Sequence, residues 1–129
     1  MAHFEIAKDS QRQLTTITVT GETMADDIER TIVAHNQQEL TRFVLWDLSQ
    51  ATFPGLSSSH IEGFVDKAKE YIKLRAGGKT AIVVPYDYGF GLARTYDILQ
   101  EINKAPVAHI TFRNKEEALR WLSEKQTQR

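Results

Sequence analysis

Cysteine is absent from the 129 residues. That absence excludes a disulfide framework, a thiolate metal site and a cysteine nucleophile together, and it suits a reducing compartment. An excess of either charge is also missing: sixteen basic side chains stand against seventeen acidic ones, for a formal net charge of -1. Without a basic block there is no stripe to follow a phosphate backbone, so nucleic acid is not an expected partner. Uncharged apolar residues nowhere run far enough to cross a bilayer, and the opening "MAHFEIAKDS" has no basic segment followed by an apolar one. These absences predict a soluble cytoplasmic protein with no membrane insertion. His3, His35, His60 and His109 show no ligand spacing, so neither a metal nor another cofactor is expected.

What is present is periodicity. "HFEIAK" puts Phe4 and Ile6 on one face, and "LTTITVTG" sets Ile17 and Val19 opposite Thr16, Thr18 and Thr20, the alternation of half-buried strands. Turn-like "DSQR" between them predicts a hairpin. Thr23 followed by Asp26 reads as a helix start, and Met24, Ile28 and Ile32 recur at four-residue steps, giving a first helix from about Met24 to Gln38. "FVLWDL" and "KTAIVVP" are apolar on consecutive residues, as strands covered on both faces are. Between them Ile61, Phe64, Val65, Ala68 and Ile72 form a helical stripe closed by Gly77 and Gly78. A third helix after Asp87 would turn Leu92, Tyr96, Leu99 and Ile102 inward; then come the strand "VAHITF" and a last helix announced by Asn114 and Glu117. The tail "EKQTQR" is polar and expected to fray.

The order β-β-α-β-α-β-α-β-α predicts one α/β domain over residues 1–129. Its sheet is mainly parallel and five-stranded, with an N-terminal hairpin and about four helices.

That order, together with "VLWDLSQATFPGLSSS", resembles the STAS domain, the class that includes bacterial anti-sigma-factor antagonists and cytoplasmic domains of sulphate transporters. "GFGLARTYDIL" and "FRNKEEALRWL" narrow the resemblance to small bacterial proteins of this SpoIIAA-like fold with no assigned activity. The resemblance implies a non-enzymatic regulatory or protein-interaction domain. Its partner would be a protein or a second copy in a homodimer. In the family a kinase phosphorylates a serine at the start of the second helix; here that position falls on Ser57, and the family's loop aspartate falls on Gly55. Sec14-type lipid carriers resemble the same fold, which gives the alternative of a small-molecule or lipid binding module.

Read physically, Ser59 followed by Glu62 has capping-box spacing. Ser57 and Ser58 would then precede the helix, where amides and the dipole favour a phosphate or another anion. Asp47 near the end of an apolar strand, with Tyr86, Asp87 and Arg94 beyond the next one, marks a candidate ligand crevice at the strand ends. Tyr88, Phe90 and Arg94 form a candidate interface; Arg94 and Asp97 would pair on the solvated side of the third helix. "GLSSS" lacks the last glycine of the hydrolase elbow, and "GFGLAR" has Arg94 where a dinucleotide fingerprint has its third glycine, so no catalytic residue is assigned.

Overall fold

The computed structural model describes residues 2–124. Strands β1 (His3–Asp9) and β2 (Leu14–Glu22) form an antiparallel hairpin. Helix α1 (Ala25–Asn36) leads to β3 (Phe43–Thr52), α2 (Ser58–Ile72) and a 3₁₀ turn, Lys73–Arg75. Strand β4 (Lys79–Val83), α3 (Asp87–Ile102), β5 (Ala108–Phe112) and α4 (Lys115–Ser123) complete the chain. The sheet order is β1-β2-β3-β4-β5, with every pair after the hairpin parallel. The expected fraying of the tail falls, from residue 125 on, outside the described residues.

Alternation along each strand divides the core in two. Ile17, Val19, Val44 and Ile82 point to the layer of α1, α2 and α3, where they meet Ile28, Ile32, Ile61, Phe64 and Ala93. Leu45, Ala81 and Val83 point the other way, onto Ala118 and Leu122 of α4. β4 is buried at all five positions, as a central strand between two helical layers must be.

Several local expectations are corrected. Helix α1 is capped at Met24, whose N–H donates to Asp27 Oδ2 at 2.8 Å; the start is one residue later than the Thr23–Asp26 spacing suggests. Phe4, on the edge strand β1, is 37% exposed. Gly78 lies where a Cβ would fall 2.2 Å from the Arg42 carbonyl oxygen, whereas Gly77, with φ +86°, supplies the turn. Helix α3 turns Leu92, Tyr96 and Leu99 onto the core as expected, but Ile102 is 66% exposed, while Asp97 and Gln100 are buried.

The ends of the parallel strands differ in polarity. At the N-terminal end Arg75, 8% exposed, donates to the carbonyls of Thr41, Arg42 and Lys79 and to Thr80 Oγ1, at 2.9 to 3.1 Å. One planar guanidinium thereby ties the chain entering β3 to the start of β4. Thr15 and Thr41 hydroxyls meet at 2.7 Å beside it.

Candidate functional site

The C-terminal ends of the parallel strands lead into α2, α3 and α4, so three helix N-termini gather at this end. Strand ends of this kind are where α/β sheets place their sites. The sequence builds the end locally. Phe53 and Leu56 anchor the loop after β3 in the core, while Pro54 and Gly55, the latter at φ +78°, form its exposed tip.

Helix α2 begins two residues earlier than the Ser59–Glu62 spacing suggests: its N-cap is Ser57, not Ser59. The Ser57 N–H donates to His60 Nδ1 at 3.1 Å. Its Oγ lies 2.9 Å from Ser59 Oγ and 3.3 Å from His60 Nδ1. Because Nδ1 accepts a backbone N–H, the neutral ring carries its proton on Nε2. Ser57 and Ser58 are exposed, Ser58 as the first helical residue.

At the start of α3 the Tyr88 hydroxyl donates to the Leu56 carbonyl, tying this helix to the loop before Ser57. Tyr88 remains 58% exposed. Arg113, immediately after β5, reaches over both sides of the same corner: Nη1 is 2.7 Å from Asp87 Oδ1 and 3.2 Å from the Pro85 carbonyl, and its guanidinium stacks 4.1 Å above the Phe90 ring. Gly89 is indispensable to this corner, since a Cβ there would lie 2.5 Å from Val84 Cγ1 and 2.9 Å from the Tyr86 ring. Gly91, by contrast, faces open space, so close packing does not account for it.

The candidate crevice residues are not brought together. Asp47 sits mid-way along the ten-residue β3, because that strand runs on to Thr52 beside β2. Its Oδ1 accepts from the Ser49 N–H (3.1 Å) and hydroxyl (2.6 Å), and its Oδ2 lies 4.0 Å from Lys115 Nζ of α4. It therefore fixes its own strand and does not hold the loop to Gly55. Tyr86 packs with Phe53 on the opposite layer, its hydroxyl buried without a partner, and burial raises its pKa. Asp87 belongs to the exposed Arg113 corner. Arg94 lies farther along α3, 3.8 Å from Asp97.

Asp97 is not on a solvated face. It is 4% exposed, accepts from Thr111 Oγ1 at 2.7 Å and has its other oxygen unpartnered. Burial raises its pKa to about 6 against the lowering by Thr111 and Arg94. Burial likewise holds His35 and His109 neutral, each lowered to about 4.

Between the sheet and the three-helix layer lies an apolar cavity of about 90 Å³, lined by Ile28, Trp46, Leu48, Phe64, Ile82 and Leu92 among others. None of the candidate crevice residues lines it. No group of three His, Asp or Glu among the described residues is placed to hold a metal.

The sequence grouped Tyr88 and Phe90 with Arg94; in the structure the residue over the Phe90 ring is instead Arg113. Its position between the end of β5 and the Asn114 cap of α4 was the available signal.

No family model and no curated protein matches the chain. Solved structures do. An uncharacterised DUF3478-family protein with a SpoIIAA-like fold from Shewanella loihica is 16% identical, with a TM-score of 0.58 over 94% of this chain and 93% of that one. An anti-sigma factor antagonist from Mycobacterium paratuberculosis is 17% identical, with a TM-score of 0.60 over 96% of both chains. The phosphorylated Bacillus cell fate determinant SpoIIAA is 16% identical, with a TM-score of 0.52 over 92% of this chain and 98% of that one. The chain has the SpoIIAA-like, STAS-type fold.

Proposed function

We propose that the chain is a non-enzymatic regulatory domain that binds a protein partner through the surface where α2 and α3 begin. The observation that carries this reading is the corner of Tyr88, Phe90 and Arg113. Aromatic and arginine side chains, partly exposed and held by an ion pair, a stacking contact and the Tyr88–Leu56 hydrogen bond, present a preorganised binding surface. The fold shared with anti-sigma factor antagonists supports the same reading, and such binding needs no membrane segment; no helix among the described residues is long and apolar enough to cross a membrane.

Ser57 is the proposed point of control. A phosphate there would lie at an exposed helix N-terminus beside that corner. A nucleophilic role has little behind it. His60 Nδ1 already accepts the Ser57 N–H, and none of the ion pairs among the described residues supplies His60 with a carboxylate. The alternative of a lipid carrier fares no better: an apolar cavity of about 90 Å³ is smaller than the roughly 150 Å³ that admits benzene.

The test is affinity capture from the source organism with the wild-type chain and with Tyr88→Ala/Phe90→Ala. A partner held by the wild type and lost with the double variant is the expected result. Retention by both, or by neither, overturns the assignment of this surface.

A further inference from the structure

The two edges of the sheet are unequally guarded. β1 carries Glu5, Lys8 and Asp9 on its seven residues, and charges along an edge oppose further pairing. β5, "AHITF", carries no formally charged side chain and, among the described residues, pairs only with β4.

The register shows which backbone groups β5 leaves over. Ala108 N–H donates to the Gly78 carbonyl, and the Phe112 carbonyl accepts from Val84 N–H. Residues 108, 110 and 112 therefore face β4, while His109 and Thr111 turn their N–H and C=O groups to the free edge. The preceding outward carbonyl, that of Val107, is already 2.9 Å from His109 Nδ1. What remains is a symmetric unit of two donors and two acceptors centred on Ile110.

We propose that the β5 edge pairs antiparallel with β5 of a second copy of this chain, about a two-fold axis at Ile110. His109 of each copy then exchanges two hydrogen bonds with Thr111 of the other, and all eight outward groups of the two strands are satisfied in four bonds. The flanking surface is self-complementary as well. A groove of about 530 Å³ runs beside this edge, lined by Arg94, Ile98, Glu101, Lys104 and Ala108 among others. It holds both signs of charge, which suits a copy of itself better than a strongly acidic or basic partner. Ile98 and Ile102, 44% and 66% exposed and one turn apart on α3, form an uncovered apolar stripe. The same two-fold sets the two α3 helices antiparallel, along the flank that carries Ile98 and Ile102.

This inference goes beyond the proposed regulatory role and uses a different surface. Light scattering of the full chain, from micromolar to about 1 mM, should show a two-chain species, with His109 and Thr111 amides protected from exchange in concentrated solution and released on dilution. Ile110→Lys places two ammonium groups across the axis and should raise the dissociation constant at least ~10-fold, about 1.4 kcal/mol. Ile110 is half-buried, so the exposed Ile102→Glu serves as a second variant: it should weaken the dimer without lowering the melting temperature. A chain monomeric throughout, or a dimer indifferent to both variants with the two amides unprotected, overturns the proposal.

Discussion

The N-terminal and C-terminal ends of the parallel strands use polar side chains in opposite ways. At the first, Arg75 is buried and spends its guanidinium on four neighbouring acceptors. At the second, Arg113 is exposed enough to stack on Phe90 while pairing with an exposed Asp87. The same residue type is a structural clamp where solvent is excluded and part of a presentable surface where it is not. Stability and recognition are thereby separated in space, and changes at one end should leave the other readable.

The largest effect is expected from Arg75→Ala. Removing the guanidinium takes a charged donor from the Thr41 and Lys79 carbonyls and the Thr80 hydroxyl and leaves the Arg42 carbonyl with the Lys79 N–H, at a cost of about 3 kcal/mol or more. Denaturant titration should show that loss, while ring resonances of Tyr88 and Phe90 in the folded fraction stay where they were. A loss below about 1 kcal/mol would mean that this end does not anchor the fold.

The pH dependence sharpens the same contrast, because the shifted groups His35, His109 and Asp97 lie away from the exposed corner. His35 and His109, ordinarily near 6.5, are lowered to about 4 by burial, with a further contribution from Arg75 on each. Their stabilisation is complete above about 6.5 and is lost as pH falls through about 4. Asp97, raised from 3.8 to about 6, works in the other direction: its contribution is complete below about 3.8 and is lost as pH rises through about 6. Two histidines oppose one carboxyl, so stability should rise from about pH 4 to about pH 6.5. Asp97→Asn, which preserves an acceptor for Thr111, should steepen that rise by on the order of 2 kcal/mol. Urea midpoints across the window would read both slopes; a wild-type stability that falls with rising pH contradicts the assignment.

The fold was legible because its evidence is periodic: β-alternation in "LTTITVTG", unbroken apolar strands in "FVLWDL" and "KTAIVVP", and the Ile61–Phe64–Val65–Ala68–Ile72 stripe all reappear in the core. The site was less legible because its determinants are not periodic. The partners of Arg75 are mostly backbone carbonyls, which leave no trace in side-chain pattern. Asp97 reads as a surface residue, yet its hydrogen bond to Thr111 on β5 lets it be buried, and that pairing follows from sheet order. Arg94 and Arg113 are equally plausible neighbours for Phe90 until β5 is placed beside β4; only then does the chain after Phe112 reach the start of α3.

The smallest effect concerns the serines. Two overlapping three-residue spacings compete in "SSSHIE": Ser57 to His60, and Ser59 to Glu62. The backbone chooses the first, since Ser57 is extended at φ -134° and ψ 170° while Ser59 lies within the helix. Ser57→Ala should therefore cost about 0.5 kcal/mol, small because the exposed Oγ also meets the Ser59 hydroxyl and the His60 ring. Ser59→Ala should cost less. Ser57→Asp should recover the loss through the charge it sets at the helix N-terminus, so that any change it causes in partner affinity can be read without a change in folding. Thermal melts of the three variants decide the order, and a larger loss from Ser59→Ala would return the cap to Ser59 and leave Ser57 free in the loop before the helix.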